Sequence, residues 1–252
     1  MDSGVGGLSV FREIKKVLPE ERFVYFSDNA YCPYGEKTPE QIQERCRRIT
    51  GMMVGKGAEA MVIACNTATS AAIATLREEF DIPFVGMEPA VKPAALGTES
   101  GVIGVLATAG TLKGSKYLCT KGRFEDEVRI EEHVGRGFVE LVEACELSGD
   151  HAEEVVRASL YPLLDAGADT IVLGCTHYPF LLGTMQKVAA GYSPAGPRQV
   201  RFIDPAPAVA RQLVNVLNRK GIATTDPEPG VQLMSSGPSE SLEKLYKLIT
   251  NN

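Results

Sequence analysis

The sequence predicts an α/β protein built on mostly parallel sheets, on three observations. Strand-like apolar runs alternate with amphipathic helix-like runs from end to end, which calls for parallel strands joined by right-handed crossovers. Two stretches share one grammar. Met61-Val-Ile-Ala-Cys-Asn-Thr-Ala-Thr69 and Ile171-Val-Leu-Gly-Cys-Thr-His-Tyr-Pro-Phe180 each run from an apolar strand through a small residue to a cysteine, and then to polar residues. Because the apolar runs lack polar alternation, both strands should be covered on both faces. Cys65 and Cys175 then sit at C-terminal strand lips, where open α/β sheets place their chemistry. The echo predicts two similar sheets, one per half of the chain.

The chain opens with Met1-Asp-Ser-Gly-Val-Gly-Gly-Leu8, a glycine-rich turn entering a helix whose Leu8, Phe11, Ile14 and Leu18 share a face and which Pro19 ends. The glycines lack the G-x-G-x-x-G spacing of a dinucleotide site, and Asp2 and Ser3 read locally as a turn or N-cap pair. A strand over 22–27 leads into the loop Asp28-Asn-Ala-Tyr-Cys-Pro-Tyr-Gly35. Thr38-Pro-Glu-Gln41 starts a helix with a capping pattern and proline at its first position. On that helix Ile42, Cys46, Ile49 and Met53 share a face, which makes Cys46 a core residue. After the Cys65 strand come an alanine-rich helix over 68–80, a strand over 83–87 and a brief helix over 92–96. A strand over 101–106 ends in Ala107-Thr-Ala-Gly-Thr111, where Thr108 and Thr111 either cap the next helix or stand as ligand groups at a strand end. A shorter strand spans 128–130, and helices span about 138–147 and 152–165. Beyond the Cys175 strand follow a helix over 180–190, a loop over 191–197, a strand over 200–203, a helix over 206–220, a strand over 231–234 and a closing helix over 239–249.

Composition narrows the function. At 252 residues, 44% hydrophobic and 23% charged, the chain is an ordinary globular protein with room for one large domain or two of about 100–150 residues. A net charge of −6 speaks against nucleic acid as its main partner. Neither an apolar run of about 18 residues nor a basic-then-apolar leader is present, so neither membrane insertion nor secretion is expected, and the expected location is cytoplasmic. The six cysteines are therefore expected as free thiols. With no C-x-x-C and no Cys/His cluster at zinc spacing, no metal site is expected.

A thiol at a strand-to-turn junction, beside backbone N–H groups and a helix start, can act as nucleophile or general base. Buried cysteines also commonly pack as small hydrophobes, but two in matching contexts ask for a chemistry that uses both. A cysteine hydrolase leaves the second thiol idle, and a redox pair usually announces itself as C-x-x-C. Inversion at a carbon next to a carboxylate needs a base on one face and an acid on the other, and two equivalent thiols fit that symmetry. Asn66, Thr67 and Thr176 offer neutral hydrogen bonds to a small polar ligand, and His177 offers a group able to polarise or protonate.

Taken together, Asp2-Ser-Gly-Val-Gly-Gly7, Pro33-Tyr-Gly35, Ala64-Cys-Asn-Thr-Ala68 and Gly174-Cys-Thr-His-Tyr-Pro179 resemble the cofactor-independent glutamate racemases along essentially the whole chain. Ile103-Gly-Val-Leu-Ala-Thr108 and Phe138-Val-Glu-Leu-Val-Glu143 are weaker matches. The resemblance implies an isomerase that interconverts L- and D-glutamate for cell-wall peptidoglycan, with no pyridoxal phosphate, metal or other cofactor. It implies Cys65 and Cys175 as the two acid/base residues, Cys65 taking the proton from D-glutamate and Cys175 from L-glutamate. Asp2 would assist Cys65, and His177 would assist Cys175 with Glu143 behind it. Ser3, Asn66, Thr67 and Thr176 would hold the amino and carboxylate groups. Backbone N–H groups around Tyr34 and Gly35, in the turn that Pro33 opens, with Thr108 and Thr111, would hold the other carboxylate.

It further implies two α/β domains related by a pseudo-twofold, with the active site in the cleft between them and the C-terminal segment returning to the first. On that basis residues 1–89 and 203–252 form one domain and 90–202 the other. Dimers are common in such a family. A related isomerase acting on aspartate or another small acid, and a glutamate-binding protein with weakened catalysis, are the alternatives. One departure bears on the last. The family carries a short apolar strand ahead of the Asp-Ser-Gly turn, where this sequence has only Met1, which predicts an open sheet position and a poorly anchored Asp2. A different start site, a shortened chain and a weakened catalyst each account for it.

Overall fold

A computed structural model describes residues 1–192 and 199–250, so the loop expected over 191–197 lies outside the described residues from 193 onward. The chain forms two compact units, Met1–Met87 with Ala206–Asn252, and Glu88–Pro205. The first opens with α1 (Leu8–Val17), β1 (Arg22–Ser27), α2 (Pro39–Gly55), β2 (Met61–Ile63), α3 (Asn66–Glu79) and β3 (Phe84–Gly86). The second contains α4 (Val91–Ala95), β4 (Val102–Ala107), α5 (Ala109–Leu112), α6 (Ser115–Lys121), β5 (Arg129–Val134), α7 (Phe138–Glu143), α8 (Asp150–Asp165), β6 (Thr170–Gly174), α9 (Leu182–Ala190) and β7 (Arg201–Ile203). The chain then returns to the first unit with α10 (Ala206–Lys220), β8 (Gly230–Ser235) and α11 (Glu240–Thr250). Every strand pairing is parallel, as the alternation of elements requires. Among the described residues no helix is long and apolar enough to cross a membrane.

In the first unit, α1 buries Val10 and Ile14 against Leu213 and Leu217 of α10. On the other side, Ile42, Cys46, Ile49 and Met53 of α2 meet Ala68, Ala72, Ile73 and Leu76 of α3. Thr38 caps α2 as expected: its side chain accepts from the Gln41 N–H while the Gln41 side chain accepts from the Thr38 N–H. Burial pushes the Cys46 thiol up to about 12, so this cysteine is a packed hydrophobe and not a reactive group.

The strands of this unit form two pairs, β1 with β8 and β2 with β3. Among the described residues, the facing edges of β1 and β2 are joined at one end, by Met1 and Asp2. The Met1 amino group donates to the Val62 carbonyl at 2.7 Å, and the Ala64 N–H donates to the Met1 carbonyl at 2.9 Å. On the other side, the Asp2 N–H donates to Phe26 and the Asp28 N–H donates to Asp2, both at 3.0 Å. Met1 and Asp2 thus occupy the last rung of a strand position between β1 and β2. Below them lies a cavity of about 210 Å³ lined by Phe23, Tyr25, Ala60 and Met61 on the strand edges and by Phe11 and Leu217 above. Among the described residues none fills this sheet position, as expected. Asp2 is not poorly anchored, because hydrogen bonds hold it and Met1 from both sides and Asp2 is fully buried.

Burial of the Met1 amino group lowers its pKa to about 6, partly offset by the nearby charge of Asp2. Between pH 6 and 8 the unfolded chain therefore binds more protons here than the folded one, and stability rises with pH across that window. Below pH 6 both states are protonated and the full penalty applies; above pH 8 neither is, and it vanishes. The shift from 8.0 to about 6 corresponds to about 2–3 kcal/mol. Urea midpoints should climb between pH 6 and 8, and N-terminal acetylation should flatten the climb.

The second unit carries a sheet of order β5-β4-β6-β7. All five residues of β6 are buried, which accounts for its unbroken apolar run. Gly104 and Gly174 are glycines because their strands pack too closely for a side chain: an added Cβ would lie 2.6 Å from Ile171 and 2.7 Å from Ala107 respectively. Three expectations are corrected. The strand expected over 128–130 extends to Val134, because β5 is an edge strand whose Glu131 and Glu132 face partners in Arg129 and Lys121 rather than a core. The helix after Cys65 starts at Asn66 instead of 68, and the helix expected over 138–147 stops at Glu143.

Candidate active site

In the first unit, β2 ends at Ile63 and the chain turns through Ala64 into α3, with Cys65 as the helix N-cap. Its Sγ accepts from the Ala68 N–H at 3.4 Å. The sulfur thus takes the place usually held by a serine or aspartate oxygen and faces the positive end of a fourteen-residue helix, a setting that favours thiolate. Asn66 and Thr67 form the first turn and are buried. The Asn66 amide is exceptional, since neither its oxygen nor its nitrogen has a hydrogen-bond partner among the described residues. A buried unpaired amide costs about 1–3 kcal/mol, which a polar ligand would relieve.

Asp2 lies at the end of the strand position beside β2. Its carboxylate accepts from the Gly4 N–H at 2.9 Å, forming a tight Asx turn, and Ser3 beside it is buried. Gly7 closes over this turn, and an added Cβ there would come within 2.6 Å of the Asp2 Cβ. The Tyr34–Glu36 segment forms a 3-10 turn whose Tyr34 side chain is buried among Met1, Phe26, Ile42 and Cys65. That packing fixes the backbone of Pro33, Tyr34 and Gly35.

In the second unit, β6 ends at Gly174 and delivers Cys175, buried, to the strand lip. His177 Nδ1 lies 3.7 Å from its Sγ, and His177 Nε2 lies 2.8 Å from Glu143 Oε1. Glu143, the last residue of α7, is partly exposed, while the histidine side chain is 2% exposed. A carboxylate on Nε2 holds that nitrogen as the N–H and turns Nδ1 toward the sulfur as the proton-accepting nitrogen. Thiol, imidazole and carboxylate therefore form one chain along which a proton can be drawn from Cys175. Thr176 is buried beside them. Thr108 caps α5, its Oγ1 accepting from the Thr111 N–H at 3.2 Å and lying 2.9 Å from Thr111 Oγ1. The capping expected of these threonines is present, and both stand at the C-terminal end of β4.

The residues named from the sequence thus gather within their own units: Asp2, Ser3, the Tyr34 turn, Cys65, Asn66 and Thr67 in one, and Thr108, Thr111, Glu143, Cys175, Thr176 and His177 in the other. Sequence reasoning missed Asp28 and Arg45. Asp28 is fully buried and takes a bidentate ion pair from Arg45, at 2.6 and 3.0 Å, and the Tyr34 hydroxyl at 2.5 Å. The available signal was Arg45 itself, a charge set among Ile42, Cys46 and Ile49 on the inner face of α2.

Residues 6–213 match the family described as Asp/Glu/Hydantoin racemase. A glutamate racemase of Pseudomonas putida strain W619 is 48% identical over 252 residues, covering 100% of this chain and 92% of its own. Among solved structures, Escherichia coli glutamate racemase in complex with L-glutamate and the activator UDP-MurNAc-Ala is 36% identical with a TM-score of 0.86, covering 98% of this chain and 92% of its own. A glutamate racemase isoform from Bacillus anthracis is 31% identical with a TM-score of 0.85, covering 100% and 92%. The family match takes in most of the chain and the relatives follow its whole length, so this protein belongs to the Asp/Glu/hydantoin racemase family of isomerases.

Proposed function

We propose that this chain interconverts L- and D-glutamate without a cofactor, Cys65 and Cys175 acting as the two acid/base groups, and that its D-glutamate serves peptidoglycan synthesis. The observation that carries this reading is the matched placement of two buried thiols at strand-to-turn junctions, one in each unit. The unpartnered Asn66 amide supports a polar substrate at Cys65.

In the L-to-D direction, the Cys175 thiolate takes the α-proton and becomes a thiol, while the electron pair delocalises into the α-carboxylate. The Cys65 thiol then gives its proton to the opposite face and becomes a thiolate. The product differs from the substrate only in configuration, and proton exchange with water resets the pair. A thiol with an ordinary pKa near 8.5 is a weak base for so weak an acid, so most of the acceleration must come from placement and from fixed donors to the carboxylate. Asn66, Thr67 and Ser3, with the N–H groups of the Tyr34–Gly35 turn, are suited to this, as are Thr176, Thr108 and Thr111. Asp2 and His177 would steer the proton of Cys65 and Cys175 respectively.

Incubation with L-glutamate in D2O tests the reading. The expected result is α-deuteration together with loss of optical rotation. A folded protein that binds glutamate and gives neither signal would refute it. Within this scheme, Glu143→Gln replaces an acceptor by a group that can also donate and releases the His177 tautomer. We expect kcat/KM to fall about tenfold to a hundredfold. The fall must be equal in both directions, because the enantiomers have equal free energy in water. Parallel assays from each enantiomer check both points.

A further inference from the structure

We propose that Arg45 is a positioning residue for the reaction, acting through Asp28 to fix the Tyr34–Gly35 turn and Asp2 together. The proposal rests on the reading above, in which that turn and Asp2 serve the substrate and Cys65.

Asp28 sits at the junction of three segments. Its N–H donates to the Asp2 carbonyl at 3.0 Å, and its own carbonyl accepts from the Tyr31 N–H at 2.9 Å. One carboxylate oxygen, Oδ2, accepts from the Tyr34 hydroxyl at 2.5 Å and from Arg45 Nε at 3.0 Å; the other accepts from Arg45 Nη2 at 2.6 Å. The Arg45 guanidinium also lies 3.7 Å from the centre of the Tyr31 ring. One side chain on α2 therefore grips both sides of the loop that runs from β1 to the turn, while the backbone of Asp28 grips Asp2.

The chemistry of this latch exceeds what loop closure needs. Burying an ion pair gives no assured gain in stability over apolar packing of the same volume. What a bidentate guanidinium adds is direction, since its planar fork sets the plane of the carboxylate and hence the line along which Oδ2 meets the Tyr34 hydroxyl. Burial first, with the hydrogen bond to and charge of Asp28 adding to it, holds the Tyr34 hydroxyl far above its ordinary pKa, so it remains a donor throughout the working range. The hydrogen bond to Asp28 holds Arg45 firmly in its cationic form. A latch made of such groups keeps the turn in one place.

Arg45→Lys keeps the charge and loses the fork, and Tyr34→Phe removes only the hydroxyl. For each variant we would measure kcat, KM for L-glutamate, Tm, and hydrogen exchange of the amides in residues 31–37. The expected result is a KM raised about tenfold to a hundredfold with a smaller change in kcat, accelerated exchange in 31–37, and a melt still cooperative. Ethylguanidinium added to Arg45→Ala should lower KM again, which a loss of bulk alone would not allow. An unchanged KM in a folded Arg45→Lys protein, or wild-type exchange rates in 31–37, would overturn the proposal. If the wild-type protein does not act on glutamate, the functional reading fails; the exchange rates still decide whether the latch holds the turn.

Discussion

Cys65→Ser should cut inversion of glutamate severely yet leave exchange running on one enantiomer. In that variant Cys175 still removes the α-proton of L-glutamate, but no thiol stands on the other face to complete the inversion. The proton returns to the face it left, so L-glutamate in D2O should gain α-deuterium and keep its rotation, while D-glutamate stays inert. Cys175→Ser should show the mirror image, with exchange of D-glutamate only. Loss of one acid/base group predicts a fall in racemisation of about 10²–10⁴-fold in either variant. Unfolding is not an alternative explanation for Cys65→Ser. A serine oxygen can accept from the Ala68 N–H as Sγ does, and serine is a preferred N-cap residue. NMR on each enantiomer with polarimetry makes the measurement. Near-normal inversion in either variant would sink the two-thiol assignment, and exchange of the same enantiomer in both would sink the assignment of faces.

Much of the candidate site is legible in the sequence, for a physical reason. Strand-end cysteines are visible because a buried parallel strand leaves an unbroken apolar run, and the first polar residues after it mark its lip. Cys65 and Cys175 are where that logic puts them. The capping pattern at Thr38 and the core role of Cys46 were legible for the same reason, being local and periodic. β5 was read at half its length because an edge strand held by Glu131, Glu132 and Arg129 carries charges where an interior strand carries apolar residues. Asp28 and Arg45 escaped altogether. Their pairing joins a strand end to a helix interior seventeen positions along the chain, and nothing in either neighbourhood specifies the other. The contact between His177 and Glu143 spans thirty-four positions and was reachable only through the family resemblance.

Joining five apolar residues, rich in valine and isoleucine, to the Met1 nitrogen should raise Tm by roughly 5–15 °C. Met1 and Asp2 already hold the register: Asp2 pairs with Ser27, and the Met1 nitrogen and carbonyl bond the residues flanking Ile63. A segment continuing backward would meet Tyr25 and Phe23 on one side and Met61 and Glu59 on the other, all of which line the cavity. Its N–H and C=O groups would satisfy two strand edges at once. Each buried valine or isoleucine contributes about 1.5–3 kcal/mol against about 1–2 kcal/mol for ordering its backbone, a net gain of about 2–5 kcal/mol over five residues. Conversion of the amino group to an amide also removes a buried charge, so the climb in stability between pH 6 and 8 should disappear. A five-residue segment of lysine and glutamate is the control, since it removes the charged terminus but cannot enter an apolar slot. Equal stabilisation by both segments would show that the cavity does not take a strand; a rise confined to the apolar one would mean that β1 and β2 are held apart at the spacing of a single intervening strand.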